Sequence, residues 1–156
     1  MRKIGFALAF ALSFALFKGC TAFTGEEIGR LPINQVSTYE ENLIEKEISL
    51  NLKKGDEIAI WSYMDIQYEG DIALRFYITI LKDGEEFGGL EIDPTDKNIT
   101  IGEVKTSIMD KTDWSFSGKN TEIKIEEDGN YTFTGILIAS KNPTLKVNKA
   151  EVVFMM

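Results

Sequence analysis

Histidine is absent from this chain, and cysteine occurs once, at Cys20. Without an imidazole, Ser-His-Asp and Cys-His catalysis, histidine-ligated zinc and the usual base working near neutral pH are all excluded. With a single cysteine there is no internal disulfide, so apolar packing alone must close the core. Basic residues are scarce as well. The 17 lysines and arginines face 25 acidic residues, for a net charge of −8. Setting aside Arg2, Lys3 and Lys18 at the N-terminus leaves 14 basic residues and a net charge of −11. Such a surface repels nucleic acid and anionic lipid, and its acids, scattered singly among apolar residues, read as a solvated face. Paired carboxylates can still hydrolyse glycosides when about 5 to 9.5 Å apart, but 25 acids produce such pairs by chance, and no catalytic residue is assigned. Gly88-Gly89 lacks the following helix and lysine of a phosphate-binding loop. No cofactor is expected.

What is present begins at the N-terminus. Arg2 and Lys3 are followed by the apolar run Ile4 to Phe17, then Lys18, Gly19 and Cys20. The run is shorter than the roughly 20 residues of a spanning helix, and no second apolar segment follows, so it reads as an export signal over residues 1–19. Gly19-Cys20 resembles the junction of bacterial lipoproteins, in which the leader is cut before a cysteine that carries a diacylglycerol on its sulfur. Phe17 and Lys18 depart from that pattern, which usually has a leucine and a small uncharged residue there. The resemblance implies a membrane partner held through a lipid on Cys20. By the same resemblance, Thr21 in place of an aspartate after the cysteine implies the outer membrane, if the cell has one. The alternative is an ordinary secretory signal cut after Ala22, with Cys20 and Ala22 as the small residues before the cut and a secreted or periplasmic product.

From Cys20 onward the chain has 137 residues, enough for one domain. Residues 20–43 contain Gly25, Gly29 and Pro32 and read as a tether, with an edge strand expected at 31–37. Residues 44–156 carry period-two patterning and no helical segment. Ile48, Leu50 and Leu52 alternate with polar residues, and Glu57 to Ile66 is apolar on both faces, as in a central strand. Ile72, Leu74, Phe76, Ile78 and Ile80 predict one buried face, with Arg75 and Thr79 turned away from it. Asp83-Gly84 predicts a tight hairpin, returning through Phe87 to Asp93. Ile99 to Lys105, a short strand at Trp114 to Ser117, Ile123 to Ile125, Tyr131 to Ser140 and Leu145 to Phe154 follow. Together these predict a single antiparallel β-sandwich, immunoglobulin-like or jelly-roll. Glu127-Asp128-Gly129-Asn130-Tyr131-Thr132-Phe133 resembles the tyrosine corner of immunoglobulin-like domains, which implies that the Tyr131 hydroxyl bonds back to the backbone. The same segment with the last hairpin is similar to the end of GOLD-type sandwiches.

Three places are candidates for ligand chemistry. Trp61 and Tyr63 share one face of their strand and Tyr77 lies beside Arg75; with Asp65, such aromatics can stack and hydrogen-bond a sugar, although strand aromatics are also ordinary core. Asp93, Asp96 and Asn98 could ligate calcium in a loop, or simply form a turn. Asp110 to Asp113 reads as a polar loop ending in Trp114. The reading that results is a non-enzymatic, envelope-anchored interaction module with a protein or polysaccharide partner. A carbohydrate-binding module, with or without loop calcium, is the alternative.

Overall fold

Alternation of apolar and polar residues sets nearly every element. A computed structural model of the chain describes residues 25–38 and 42–156, and the only regular elements among them are strands. They are β1 (Glu27–Pro32), β2 (Lys46–Leu52), β3 (Glu57–Glu69), β4 (Leu74–Lys82), β5 (Glu85–Ile92), β6 (Ile99–Ile108), β7 (Lys111–Lys124), β8 (Gly129–Ala139) and β9 (Lys146–Met155). Two antiparallel sheets result, one ordered β1-β9-β3-β7-β6 and the other β2-β8-β4-β5. The pairs are nested: β1 with β9, β2 with β8, β3 with β7, β4 with β5. That is the wrapped order of a jelly roll rather than of an immunoglobulin domain, with β6 added as a ninth strand at one edge.

The sandwich fills from both sheets. Ile58, Ile60, Met64 and Ile66 of β3 meet Leu74, Phe76 and Ile78 of β4, and the Phe133 and Phe154 rings lie 4.6 Å apart. On β4, Leu74, Phe76, Ile78 and Ile80 are buried and Thr79 is exposed, as the alternation requires; Ile72, just before the strand, is half-buried. β3 occupies the middle of its sheet. Asp83 and Gly84 both have positive φ, 50° and 84°, which is the left-handed pair that a two-residue hairpin needs. The Tyr131 hydroxyl donates to the Glu127 carbonyl at 2.7 Å, so the corner hydrogen bond is present in a jelly-roll order.

Three elements differ from the sequence reading. β1 runs from Glu27 to Pro32 rather than 31–37, so the sheet begins inside the segment expected to be tether; Val36 makes only an isolated bridge to Leu137. Trp114 to Ser117 and Ile123 are not separate pieces but parts of the 14-residue β7, paired to β3 on one side and β6 on the other. The polar loop expected at 110–114 is reduced to the turn at Met109 and Asp110, and Lys111 to Trp114 are already strand. β7 hides its pattern because Ser115 and Ser117 line its outer face, while Gly118 and Asn120 interrupt the inner one.

Candidate binding surface

The residues singled out for ligand chemistry fall at separate places. Trp61, Tyr63 and Asp65 point away from the sandwich interior on β3. Trp61 is 1% exposed and forms a second apolar cluster with Val153 and Met155. The Arg30 guanidinium lies 5.0 Å above the half-buried Tyr63 ring, and Asp65 accepts a hydrogen bond from Asn148 at 3.2 Å. Tyr77 is on the other sheet, in a shallow concavity with Thr79, Gly89 and Glu91. Trp114 is on the inner face of β7. The expected aromatic surface is therefore not one site. Cys20 lies outside the described residues.

The acidic loop is used by the protein itself. Asp93 Oδ1 accepts from the Thr95 amide and hydroxyl at 2.9 and 2.6 Å, and Oδ2 from Arg75 at 2.6 Å. Burial tends to raise the Asp93 pKa, but these hydrogen bonds and the Arg75 charge together hold it below the ordinary carboxylate value. A bulge on β7 turns Asn120 inward, where its amide donates to the carbonyls of Asp93, Pro94 and Asp96 and its oxygen accepts from Ser62. Asp96 donates its amide to the Asp93 carbonyl at 3.1 Å, and the Asn98 side chain reaches the Asn120 carbonyl at 3.4 Å. These contacts make the segment a pinned turn.

Beyond that turn, Lys97 runs back over β7. Its ammonium is 2.8 Å from Glu103, 3.9 Å from the Phe116 ring centre and 5.1 Å from that of Trp114. A Cβ at Gly118 would collide with the Lys97 stem, so glycine here lets that stem lie close over the strand. Trp114 donates to Glu103 at 2.8 Å and carries Lys105 over its ring at 4.1 Å. The hydrogen bonds from Lys97, then Trp114, lower the Glu103 pKa. The inner side of the β6–β7 hairpin is thus fully engaged.

Its outer side is not. Every residue of β6 is exposed, and Ile99, Ile101, Val104 and Ile108 line up there with Thr106. Met109 at the tip is 98% exposed. Beside this stripe is an open concavity of about 480 Å³ lined by Glu69, Thr106, Ile108, Met109, Asp110, Lys111 and Asp113. Asp113 Oδ1 is buried there with no hydrogen-bond partner among the described residues. The sequence reading named Asp110, Lys111 and Asp113 in a candidate polar loop but assigned none of the apolar residues of the stripe to a surface. The alternation Ile99, Ile101 was legible, but nothing local distinguishes an apolar face turned to the core from one turned outward.

No protein-family model matches this chain, and a search of curated proteins finds no match to it.

Proposed function

We propose that this protein is an exported, non-enzymatic binding module, a β-sandwich held at the cell envelope by a lipid on Cys20, with the outer membrane as its site. The single observation that supports binding is the outer side of the β6–β7 hairpin, where five of the large apolar side chains of the domain, Ile99, Ile101, Val104, Ile108 and Met109, stand exposed in one stripe. A contiguous exposed apolar patch on an otherwise charged domain marks an interaction surface. The anchor rests on the leader and its Gly19-Cys20 junction. One acyl chain binds only marginally, whereas two or three together give stable anchoring. Three of the four aromatic residues on which carbohydrate binding would depend are committed to the protein, Trp61 to its own cluster, Tyr63 under Arg30 and Trp114 between Glu103 and the lysines, and the fourth, Tyr77, stands apart from them on the other sheet. No specific observation favours that alternative.

Mass spectrometry of the mature N-terminus tests the anchor. The expected result is a chain beginning at Cys20 with the mass of a diacylglycerol, with or without a third acyl group. An unmodified chain beginning at Phe23 would make the protein a free exported domain.

A further inference from the structure

Among the described residues β6 is hydrogen-bonded on one side only, to β7, so its other side presents free backbone groups. An exposed sheet edge is a template for one more strand. The edge is not uniform. A bulge at Gly102 and Glu103, with Gly102 at φ 65°, breaks the register with β7 and bends the strand. Val104 to Ile108, paired continuously with Ser115 to Lys111, is the regular stretch that remains.

Across that stretch the outward side chains are Val104, Thr106 and Ile108, and the inward ones are Lys105 and Ser107. Thr106 sits opposite Asp113 on β7, so a short side chain separates the free edge from the unpartnered carboxylate oxygen. An added strand lies two strand spacings from β7, about 9 to 10 Å. A lysine or arginine side chain with one hydrogen bond covers that distance, its stem lying over Thr106 and its charge meeting Asp113, with Glu69 and its cross-strand neighbour Lys111 beyond. The residues two before and two after it on the added strand fall opposite Val104 and Ile108 and extend the apolar stripe. The surrounding protein has a net charge of −8, which favours a basic partner and disfavours a second copy of the chain.

We infer that the Val104–Ile108 edge of β6 takes up an extended segment of a basic partner protein as an added antiparallel strand, reading an apolar-x-Lys/Arg-x-apolar pattern with the basic side chain over Thr106 and on Asp113. The inference rests on the binding-module reading and names its partner chemistry. Backbone pairing supplies the attachment and the alternate side chains supply the selectivity. A basic residue shifted by one position would point to the other side of the sheet, where Lys97 and Lys105 already surround Glu103, so the register is defined by charge as well as by shape.

The test is fluorescence anisotropy of the purified protein with the labelled peptide Thr-Ile-Thr-Lys-Thr-Val-Thr. Changing its lysine to glutamate, or moving the lysine by one position, is expected to weaken binding at least tenfold. Val104→Lys with Ile108→Lys, both exposed positions, is expected to do the same, as is Glu69→Gln with Asp113→Asn. Glu85→Gln with Glu86→Gln removes the same charge from exposed β5 positions and is expected to change binding less than twofold. Equal weakening by the two charge-neutralised variants would reduce the effect to the general field and overturn the inference. So would equal binding of the in-register and shifted peptides, or no binding of either. A dimer in sedimentation that Val104→Lys dissolves and the peptide does not would assign the edge to a second copy instead. An unmodified Cys20 would remove the anchor and leave these results standing, whereas failed peptides with a lipidated Cys20 would remove this edge assignment alone.

Discussion

The five-stranded sheet ends in two edges of opposite construction. β1 has six residues, ends in Pro32, and sinks Leu31 fully into the core. Its outward Arg30 is held bidentately by Glu27, at 2.7 and 2.9 Å, and by Glu151 across on β9. Short length, proline and paired charges are the devices that keep an edge from recruiting another strand. β6 has ten residues, all exposed, with four β-branched apolar side chains along its outer face and only a bulge and Lys105 to blunt it. Both edges are reached by the same alternating pattern. What differs is the face that carries the apolar residues: β1 turns Leu31 toward the opposite sheet, and β6 turns its stripe away from it. β1 lies inside the nested pairs of the jelly roll, and β6 lies outside them, so the first is part of the fold's closure and the second is surplus to it.

The contrast between the edges should be widest in stability. Leu31→Ala removes a fully buried side chain and is expected to cost about 2 to 5 kcal/mol, whereas Ile108→Ala, 70% exposed in β6, is expected to stay within about 0.5 kcal/mol. Urea denaturation with unchanged slope measures both. Similar midpoints for the two variants would mean that the two edges are not energetically distinct.

A smaller effect separates the two sides of β6 itself. The outer side is bare, but the inner side is held by Lys97, whose stem crosses Gly118 and whose charge meets Glu103 and the Phe116 ring. Lys97→Ala removes stem and charge and is expected to destabilise by about 1 to 2 kcal/mol. Lys97→Met keeps most of the stem, and with Glu103 near solvent it should cost less than half as much. If the methionine variant is as unstable as the alanine one, the charge rather than the packing holds the hairpin.

Much of this architecture was legible because it is local. Period two on β4 named Leu74, Phe76, Ile78 and Ile80 as buried and Thr79 as exposed; Asp83-Gly84 named a hairpin; Gly129-Asn130-Tyr131 named the corner hydrogen bond. What was not legible depends on partners distant in sequence. Trp61 and Ile60 are adjacent and both buried, yet they belong to clusters on opposite faces of β3. Tyr63 and Tyr77 look alike in the sequence and stand on different sheets. β7 escaped as a continuous strand because its inner face is completed by Lys97 and Asn120 where alternation predicts apolar residues. The β6 stripe escaped for the converse reason. Its pattern is that of a core strand, and only its register with β7 reveals that the apolar face is the one turned away from the sandwich interior.

The smallest expected effect tests whether the charges on β1 contribute at all. The hydrogen bond from Arg30 lowers the Glu27 pKa below its ordinary value of 4.5. A carboxylate depressed in the folded state stabilises fully above its unfolded pKa and loses that contribution as the pH falls through the folded one. The contribution is therefore present at pH 7 and fades below about pH 4.5. Because the Glu27 side chain is 41% exposed, solvent screens the pair and the contribution is small. Asp93 and Glu103 are also depressed, so the acid destabilisation of the protein as a whole does not isolate β1. The difference between wild type and Glu27→Gln does. A gap in Tm of at most a few degrees is expected at pH 7, on the scale of about 2 to 4 °C per kcal/mol for a domain of this size. It should shrink as the pH falls below about 4.5, and shrink in 1 M salt. A gap that persists unchanged to pH 3 would mean that Glu27 acts through packing, and that Pro32 and the shortness of β1, rather than its charges, are what closes that edge.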